Sequence, residues 1–553
     1  MPAAKHPYRA HQARRKPAGH HRLLLQAGCL ISSLAAIPAS TPGSVVQSLQ
    51  QTPPQRTRPA EVLFRRDGTE SEHDPNGPRF RINAIDFHGN TVFDGFRLKR
   101  VVERFVDREL NLYDLGRAAD AVNAFYQQRG YPLARALVTA QKVVDGRVRI
   151  EVAEGVLGKV RLAGNRRYGS DTLLQRGGSL QTGQPINLPL LERKLLLLND
   201  QPGLQARATL QAGSDYGSSD LLLQIVERPL ALDLTLTNAA REDIGQTRID
   251  AALSWNNPLG IGDQLALRGI VSEHKLLHYG KASYNLPLGH GGDRLSLAYS
   301  KVRYRVAGAV GALQLGGLAD TKELSWNHPL IRSRQHDRSV SLAASYRKLS
   351  QDALGVVISQ TRLPVYTASW NERWFDEEGT AWSTRLALSS NGRSNADSRR
   401  QDAEQLRIDF SADASANIAP RLDLFAKVNS VYSRQRLPDS DKFDAGGPDS
   451  VRAYRPSELR GDSGELLSLE LRRPFSILGR MAQATAFVDY AHVVYKQAGL
   501  RNGNDEIGGA GLGLAVYPSA TTTAKVEIAT PFTSRRADDG KHVRLWFNLS
   551  ASF

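Results

Sequence analysis

From Leu232 to its end the chain alternates. Leu232-Asp-Leu-Thr-Leu-Thr-Asn, Leu295-Ser-Leu-Ala-Tyr-Ser, Leu467-Ser-Leu-Glu-Leu-Arg and Leu545-Trp-Phe-Asn-Leu-Ser-Ala-Ser-Phe return an apolar residue at about every second position. Successive side chains of a strand point to opposite faces, so each segment has one apolar face and one polar or small face. A soluble sandwich of this length would be large for one domain, whereas a transmembrane barrel takes about 10 residues per strand plus loops. At roughly 20 residues per strand and loop, residues 232–553 predict about 16 antiparallel strands, an even number as bacterial barrels require. Trp255, Tyr284, Trp326, Trp370, Trp374 and Trp546 fall near strand ends, where interfacial aromatic girdles sit. Asn257-Pro258-Leu259-Gly260 and His328-Pro329 read as turns between strands.

Other architectures are excluded by simple counts. With 41% hydrophobic and 23% charged residues the chain is folded rather than disordered. Outside the N-terminal segment no apolar run is long enough for a membrane helix. The single cysteine, Cys29, rules out internal disulfides and Cys-based zinc sites. There is no H-E-x-x-H and no phosphate-binding G-x-x-x-x-G-K-[ST], so neither a metal nor a nucleotide cofactor is expected. The net charge of +16 suggests nucleic acid, but the cations form no compact patch with interleaved aromatics, and nucleic acid is not expected as a partner.

Lys5, Arg9, Arg14, Arg15, Lys16 and Arg22 precede an apolar run that ends in small residues near Ala39, the pattern of an export signal over residues 1–39. Residues 40–79 carry Pro42, Pro53, Pro54, Pro59, Pro75 and Pro78 and read as a linker. Within it Ser44–Gln51 can form two helical turns with Ser44 as the cap.

Two similar units occupy 80–154 and 155–228. Each opens with a strand leading to a Gly-Asn turn, Gly89-Asn90 and Gly164-Asn165. Two helical stretches follow, Phe96–Val106 and Leu115–Gln128 in the first unit, Thr172–Gln175 and Leu188–Leu198 in the second. Each unit closes with two strands, Ala134–Gln141 with Arg147–Val152, then Gln205–Gln211 with Asp220–Glu227. The whole is a duplicated β-α-α-β-β domain before a barrel over residues 229–553.

With these parts in place the chain resembles the outer-membrane transporters of two-partner secretion, the TpsB proteins, and the repeats resemble their POTRA domains. The strongest local match is Gly446-Gly447-Pro448-Asp449-Ser450-Val451-Arg452-Ala453-Tyr454, followed by Asp462-Ser463-Gly464-Glu465. It is similar to the family motif Val-Arg-Gly-Tyr on a loop that folds back into the lumen, with Ala453 in place of the glycine. Phe487-Val488-Asp489-Tyr490-Ala491 is similar to the family's Phe-x-Asp-x-Gly on a later strand, again with alanine, Ala491, for glycine. Asn257 to Asp263 is similar to the turn after the family's first barrel hairpin, and Phe553 fits the terminal signature read by barrel-assembly machinery.

The resemblance implies a non-enzymatic outer-membrane pore with POTRA domains in the periplasm. It would capture the N-terminal secretion domain of a large exoprotein and pass that client outward. A short N-terminal helix would rest in the pore, and Ser44–Gln51 is the candidate. Strand addition is the expected mode of capture, on the edge formed by Asp220, Leu221, Leu222, Leu223, Gln224, Ile225, Val226 and Glu227. The alternative is a barrel-assembly or insertion factor, which shares the architecture but usually has more POTRA modules; a passive porin would need none.

The pairing of the two motifs has its own physical argument. Phe487, Asp489 and Ala491 share one strand face, and a carboxylate facing lipid is costly, so that face is the lumen. An arginine fork suits a partly desolvated carboxylate better than a lysine does, so Arg452 is expected to reach Asp489. Gly461-Asp462-Ser463-Gly464 copies a serine-protease segment but lacks a histidine in any catalytic context. The alternating Gly509, Gly511 and Gly513 are expected to make room for a lumen occupant or a close strand contact.

Overall fold

The computed structural model describes residues 40–50, 62–64, 76–178, 180–215, 217–376, 379–391, 395–396, 405–496 and 503–553. The expected export signal, Cys29 and most of the linker lie outside the described residues.

The first repeat forms a three-stranded sheet in which Ala84–His88 runs parallel to Arg147–Ala153 and Arg135–Leu137 runs antiparallel to it. Helices Gly95–Val102 and Leu112–Gln128 pack on one face and bury Leu98, Val102, Leu115, Val122 and Tyr126 against Ile85 and Ile150. Asn111 and Asp114 form a reciprocal capping box at the start of the longer helix. The expected strand Ala134–Gln141 is shorter than its sequence pattern. Gln141 turns its amide onto the backbone of Arg149, donating to the carbonyl at 2.7 Å and accepting from the N–H at 2.8 Å, where ladder bonds would have been.

The second repeat has the same plan, and one device appears in both. Gly89 and Gly164 have φ of +84° and +93°. A Cβ on either would lie 2.5 Å from the carbonyl of Val152 or 2.3 Å from that of Ile225. Past each Gly-Asn turn, a glutamate at the end of the last strand collects the free backbone donors. Glu154 accepts from the N–H groups of Thr91 and Val92, and Glu227 from those of Arg166, Arg167 and Tyr168.

The expected client edge is not an edge. Ser218–Glu227, which contains Asp220 through Glu227, is an interior strand: Val156–Ala163 pairs with it in parallel on one side and Leu204–Ala212 antiparallel on the other. Leu221, Leu223 and Ile225 are buried in the core, and Glu227 is committed to the turn. The far side of Leu204–Ala212 is itself covered, because linker residues Val62–Phe64 run parallel along Ala208–Leu210. A strand with both ladders filled has no donors left for a client.

Helix Leu188–Asn199 of this repeat carries a fully buried Lys194 whose ammonium donates to the carbonyls of Leu174, Arg176 and Gly178. The turn so shaped meets the barrel: Arg176 donates to the carbonyl of Gly289 and the Gly177 N–H to that of His290. Arg332 grips Asp200 with a bidentate fork, both contacts 2.8 Å. The expected first-hairpin turn joins this junction, since a Cβ on Gly262 would lie 2.6 Å from the Gln201 amide oxygen.

Among the described residues the barrel closes with sixteen long antiparallel strands, the last, Arg544–Ser552, pairing with the first, Leu230–Thr237. Alternation sets the two faces: Leu467, Leu469 and Leu471 are exposed outward while Leu466 and Ser468 are buried inward. Two expectations change. His328-Pro329 lies within strand Gly316–Arg332 at a register irregularity, not at a turn. Trp546 is 3% exposed and points into the lumen, because its neighbour Leu545 takes the lipid-facing phase.

Candidate functional site

The segment between strands Leu422–Tyr432 and Ser463–Ile477 folds into the lumen instead of projecting outward. A short hairpin, Phe443–Ala445 with Leu459–Gly461, carries it in. Gly446 and Gly447, at φ +108° and +97°, reverse the chain at the tip. Val451, Ala453 and Tyr454 are buried against the barrel wall with Phe443, Phe487, Ala491 and Ile507. Asp462, in the segment that mimics a protease, closes the base of the loop by accepting from the N–H groups of Leu437 and Lys496.

At the tip Arg452 meets Asp489, as the paired motifs led one to expect. Its Nε and Nη2 donate to the two carboxylate oxygens at 2.8 and 2.7 Å, and its backbone N–H adds a third bond at 3.1 Å. Arg452 is 3% exposed and Asp489 0%. Phe487 lies flat beneath the guanidinium, 3.4 Å from ring centroid to Cζ.

The site is larger than a pair. Arg452 Nη1 also donates to Glu470 at 2.8 Å and to Glu527 at 3.0 Å, and Nη2 to the Ser468 hydroxyl at 3.2 Å. Arg472 and Lys525 in turn hold Glu470 and Glu527, each within 2.9 Å. Three cations thus face three carboxylates, with Arg472 and Lys525 at a partly exposed rim, so the cluster is balanced and every charge has a partner. The indole of Trp546 donates to the Arg452 carbonyl at 2.7 Å. Ser468, Glu470, Arg472 and Glu527 belong to no motif, although the sequence carries their signal: each occupies the polar phase of an alternating strand, where a charge must face the lumen.

The alanine that replaces a glycine in the loop motif is accommodated. A Cβ on Gly509 would fall 2.2 Å from the Ala453 methyl, and one on Gly511 would fall 2.5 Å from the Phe487 ring. Gly509 leaves the volume that Ala453 fills. We therefore expect Gly509→Ala to weaken loop seating by about 1–3 kcal/mol, as overpacking does, and Ala453→Gly placed in the same chain to restore it. Protection of the loop from protease measures the effect; failure of the double variant to recover would show that the two positions do not share one space.

The second lumen feature is the helix Pro42–Gln50. Its cap is Thr41 rather than the expected Ser44: the Ser44 N–H donates to the Thr41 hydroxyl and the Thr41 N–H to that of Ser44, with Pro42 in the first helical position. The helix lies inside the barrel, burying Val45, Val46 and Leu49. Thr41 bonds to Asp439, Gln47 donates to the Lys442 carbonyl at 3.0 Å, and Arg268 donates to the Leu49 carbonyl at 3.2 Å.

Comparison with known proteins sets this geometry in context. The family described as haemolysin secretion/activation protein ShlB/FhaC/HecB matches residues 217–516, and the POTRA domain of ShlB type matches residues 80–155. The heme/hemopexin transporter protein HuxB of Haemophilus influenzae (strain 86-028NP) is 22% identical over 95% of this chain and 97% of that protein. The outer membrane transporter CdiB of Escherichia coli O6:K15:H31 (strain 536 / UPEC) is 25% identical over 81% of this chain and 80% of its own. Among solved structures, CdiB from Escherichia coli superposes with a TM-score of 0.73 at 20% identity, covering 98% of this chain and all of that one.

Proposed function

From the premise that the chain belongs to the haemolysin secretion/activation family ShlB/FhaC/HecB, we propose that it is a bacterial outer-membrane pore that recognises a large partner exoprotein in the periplasm and secretes it. The POTRA modules face the periplasm, and the chain performs no catalysis.

One observation carries the reading. Paired POTRA modules stand at the mouth of a closed barrel whose lumen is filled by the chain's own helix Pro42–Gln50 and its own loop Val451–Tyr454. A passive porin has no use for either part. An unfolded polypeptide needs both a receptor before the pore and a lumen that stays closed until it arrives. The receptor edge we assign is Leu204–Ala212, along which the chain's own Val62–Phe64 pairs in parallel. A client would compete with that segment.

Co-expression with a candidate client, a large secreted protein from an adjacent reading frame, tests the proposal. Deleting Phe80–Glu154 should abolish appearance of the client in the medium while the barrel remains heat-modifiable in the outer membrane. Leu63→Pro, which removes a ladder donor from the covering segment, should increase client retention by purified transporter several-fold. Normal secretion without the first POTRA module would mean that the receptor lies elsewhere.

A further inference from the structure

Charges also occur in the outward-facing phase of the barrel wall. Leu297, Leu324, Leu342 and Tyr366 mark the lipid-facing phase of four consecutive strands, all being well exposed. In that same phase, toward the loop end opposite the POTRA modules, stand Lys301, Arg303, Lys322, Lys348 and Arg362, every one exposed. They are neighbours across the sheet: Lys301 pairs with Asp320, Asp320 with Lys348, Lys348 with Arg362, and Tyr299 with Lys322. Asp320 is the one carboxylate of this belt among the described residues, held by the Tyr299 hydroxyl at 2.9 Å and approached by Lys301 at 3.9 Å.

A cation facing hydrocarbon is strongly destabilising at the bilayer midplane and nearly neutral near the interface. Height therefore matters. Trp374 marks the aromatic girdle at the POTRA end of strand Val356–Phe375, and Arg362 lies twelve positions away on that strand. At about 3.3 Å per residue and a strand tilt near 40° the two are roughly 30 Å apart along the barrel axis, against an apolar band of about 25 Å. The belt therefore sits at the opposite interface, the level of the outer-leaflet headgroups.

Two apolar grooves adjoin it. One, of about 690 Å³, has Ala282, Ala344 and Pro364 as its floor and Tyr284, Tyr346 and Tyr366 along its walls, with Lys322 at its rim. The other, of about 500 Å³, lies over Ala251, Gly269 and Gly280 beside Tyr299, with Lys301 at its rim. Small residues remove the outward side chains that would otherwise fill these surfaces.

We propose that this face is a binding site for an anionic phosphoglycolipid of the outer leaflet, its phosphates on the cationic belt and acyl chains in the two grooves. Charge complementarity selects that occupant: a zwitterionic lipid leaves the excess of cations unpaired, and a protein partner would leave the acyl-shaped grooves empty. The inference rests on the outer-membrane reading above.

The test compares wild-type transporter with the Lys301→Gln/Lys322→Gln/Lys348→Gln/Arg362→Gln variant, both extracted in mild detergent from outer membranes. Mass spectrometry counts retained phosphoglycolipid, and purified lipid A is titrated into each. With four cations removed from its contact with an anionic surface, the variant should bind at least about tenfold more weakly. A variant carrying Lys301→Arg, Lys322→Arg and Lys348→Arg should bind as the wild type does. Equal lipid on the wild type and the glutamine variant, with both in the outer membrane and heat-modifiable, overturns the site alone. Wild-type protein absent from that membrane overturns the functional reading as well, and inorganic phosphate displacing the lipid would reduce the site to a phosphate contact without acyl recognition.

Discussion

Arg452→Ala should stop secretion almost completely while leaving the barrel inserted. The variant strands Asp489, Glu470 and Glu527 together in a buried lumen site, with Arg472 and Lys525 reaching only two of them. Removing one partner of a buried ion pair costs about 3–5 kcal/mol, which is ample to unseat the loop. Arg452→Lys should recover only a fraction, since a point ammonium cannot serve three carboxylates and lie flat on Phe487. Asp489→Ala should be milder than Arg452→Ala, because Glu470 and Glu527 continue to hold the guanidinium. Exchanging the two residues should fail outright: an aspartate at 452 would face both remaining glutamates. A double-mutant cycle on secretion efficiency, with heat-modifiability checked in each variant, should give a coupling of about 1–3 kcal/mol. Additive losses of a few tenths would make Arg452 an ordinary solvated loop cation.

Gly43→Leu, or deletion of Pro42–Gln50, should turn a mostly closed channel into a persistently conducting one. A Cβ at Gly43 would lie 2.5 Å from the Ser440 backbone nitrogen, so no larger side chain fits while the helix stays docked. Docking is finely balanced. Burying Val45, Val46 and Leu49 stabilises the helix by roughly 1.5–3 kcal/mol each, and ordering its nine residues at about 1 kcal/mol or more apiece largely offsets this. Such a helix can be released without unfolding the barrel, as a pore closed only until its client arrives requires. Single-channel recordings in planar bilayers measure the open fraction. Wild-type-like closure in the deletion variant would place the barrier elsewhere, with the Val451–Tyr454 loop as the remaining occupant of the lumen.

Local pattern alone determined much of this protein. Strand alternation is a property of consecutive residues, so the barrel, its strand number and the common inward face of Phe487, Asp489 and Ala491 are legible in the sequence. The Gly-Asn turns were legible for the same reason, since a positive φ is decided by one residue and its neighbours. Arg452 could be matched to Asp489 because both lie in recognisable motifs. Period two, however, says which face a side chain takes and not what stands beside it. Glu470 and Glu527 reach Arg452 from strands far apart in sequence, and Gly509 makes room for Ala453 from a strand more than fifty residues on. Asp220–Glu227 reads as a free edge until Val156–Ala163 and Leu204–Ala212 are seen flanking it. Trp546 belongs to the girdle by residue type and to the lumen by phase. Those outcomes were left to the tertiary structure, because ladder pairing, edge exposure and the filling of a cavity are set by contacts between distant segments, which only closure of the barrel brings within reach of each other.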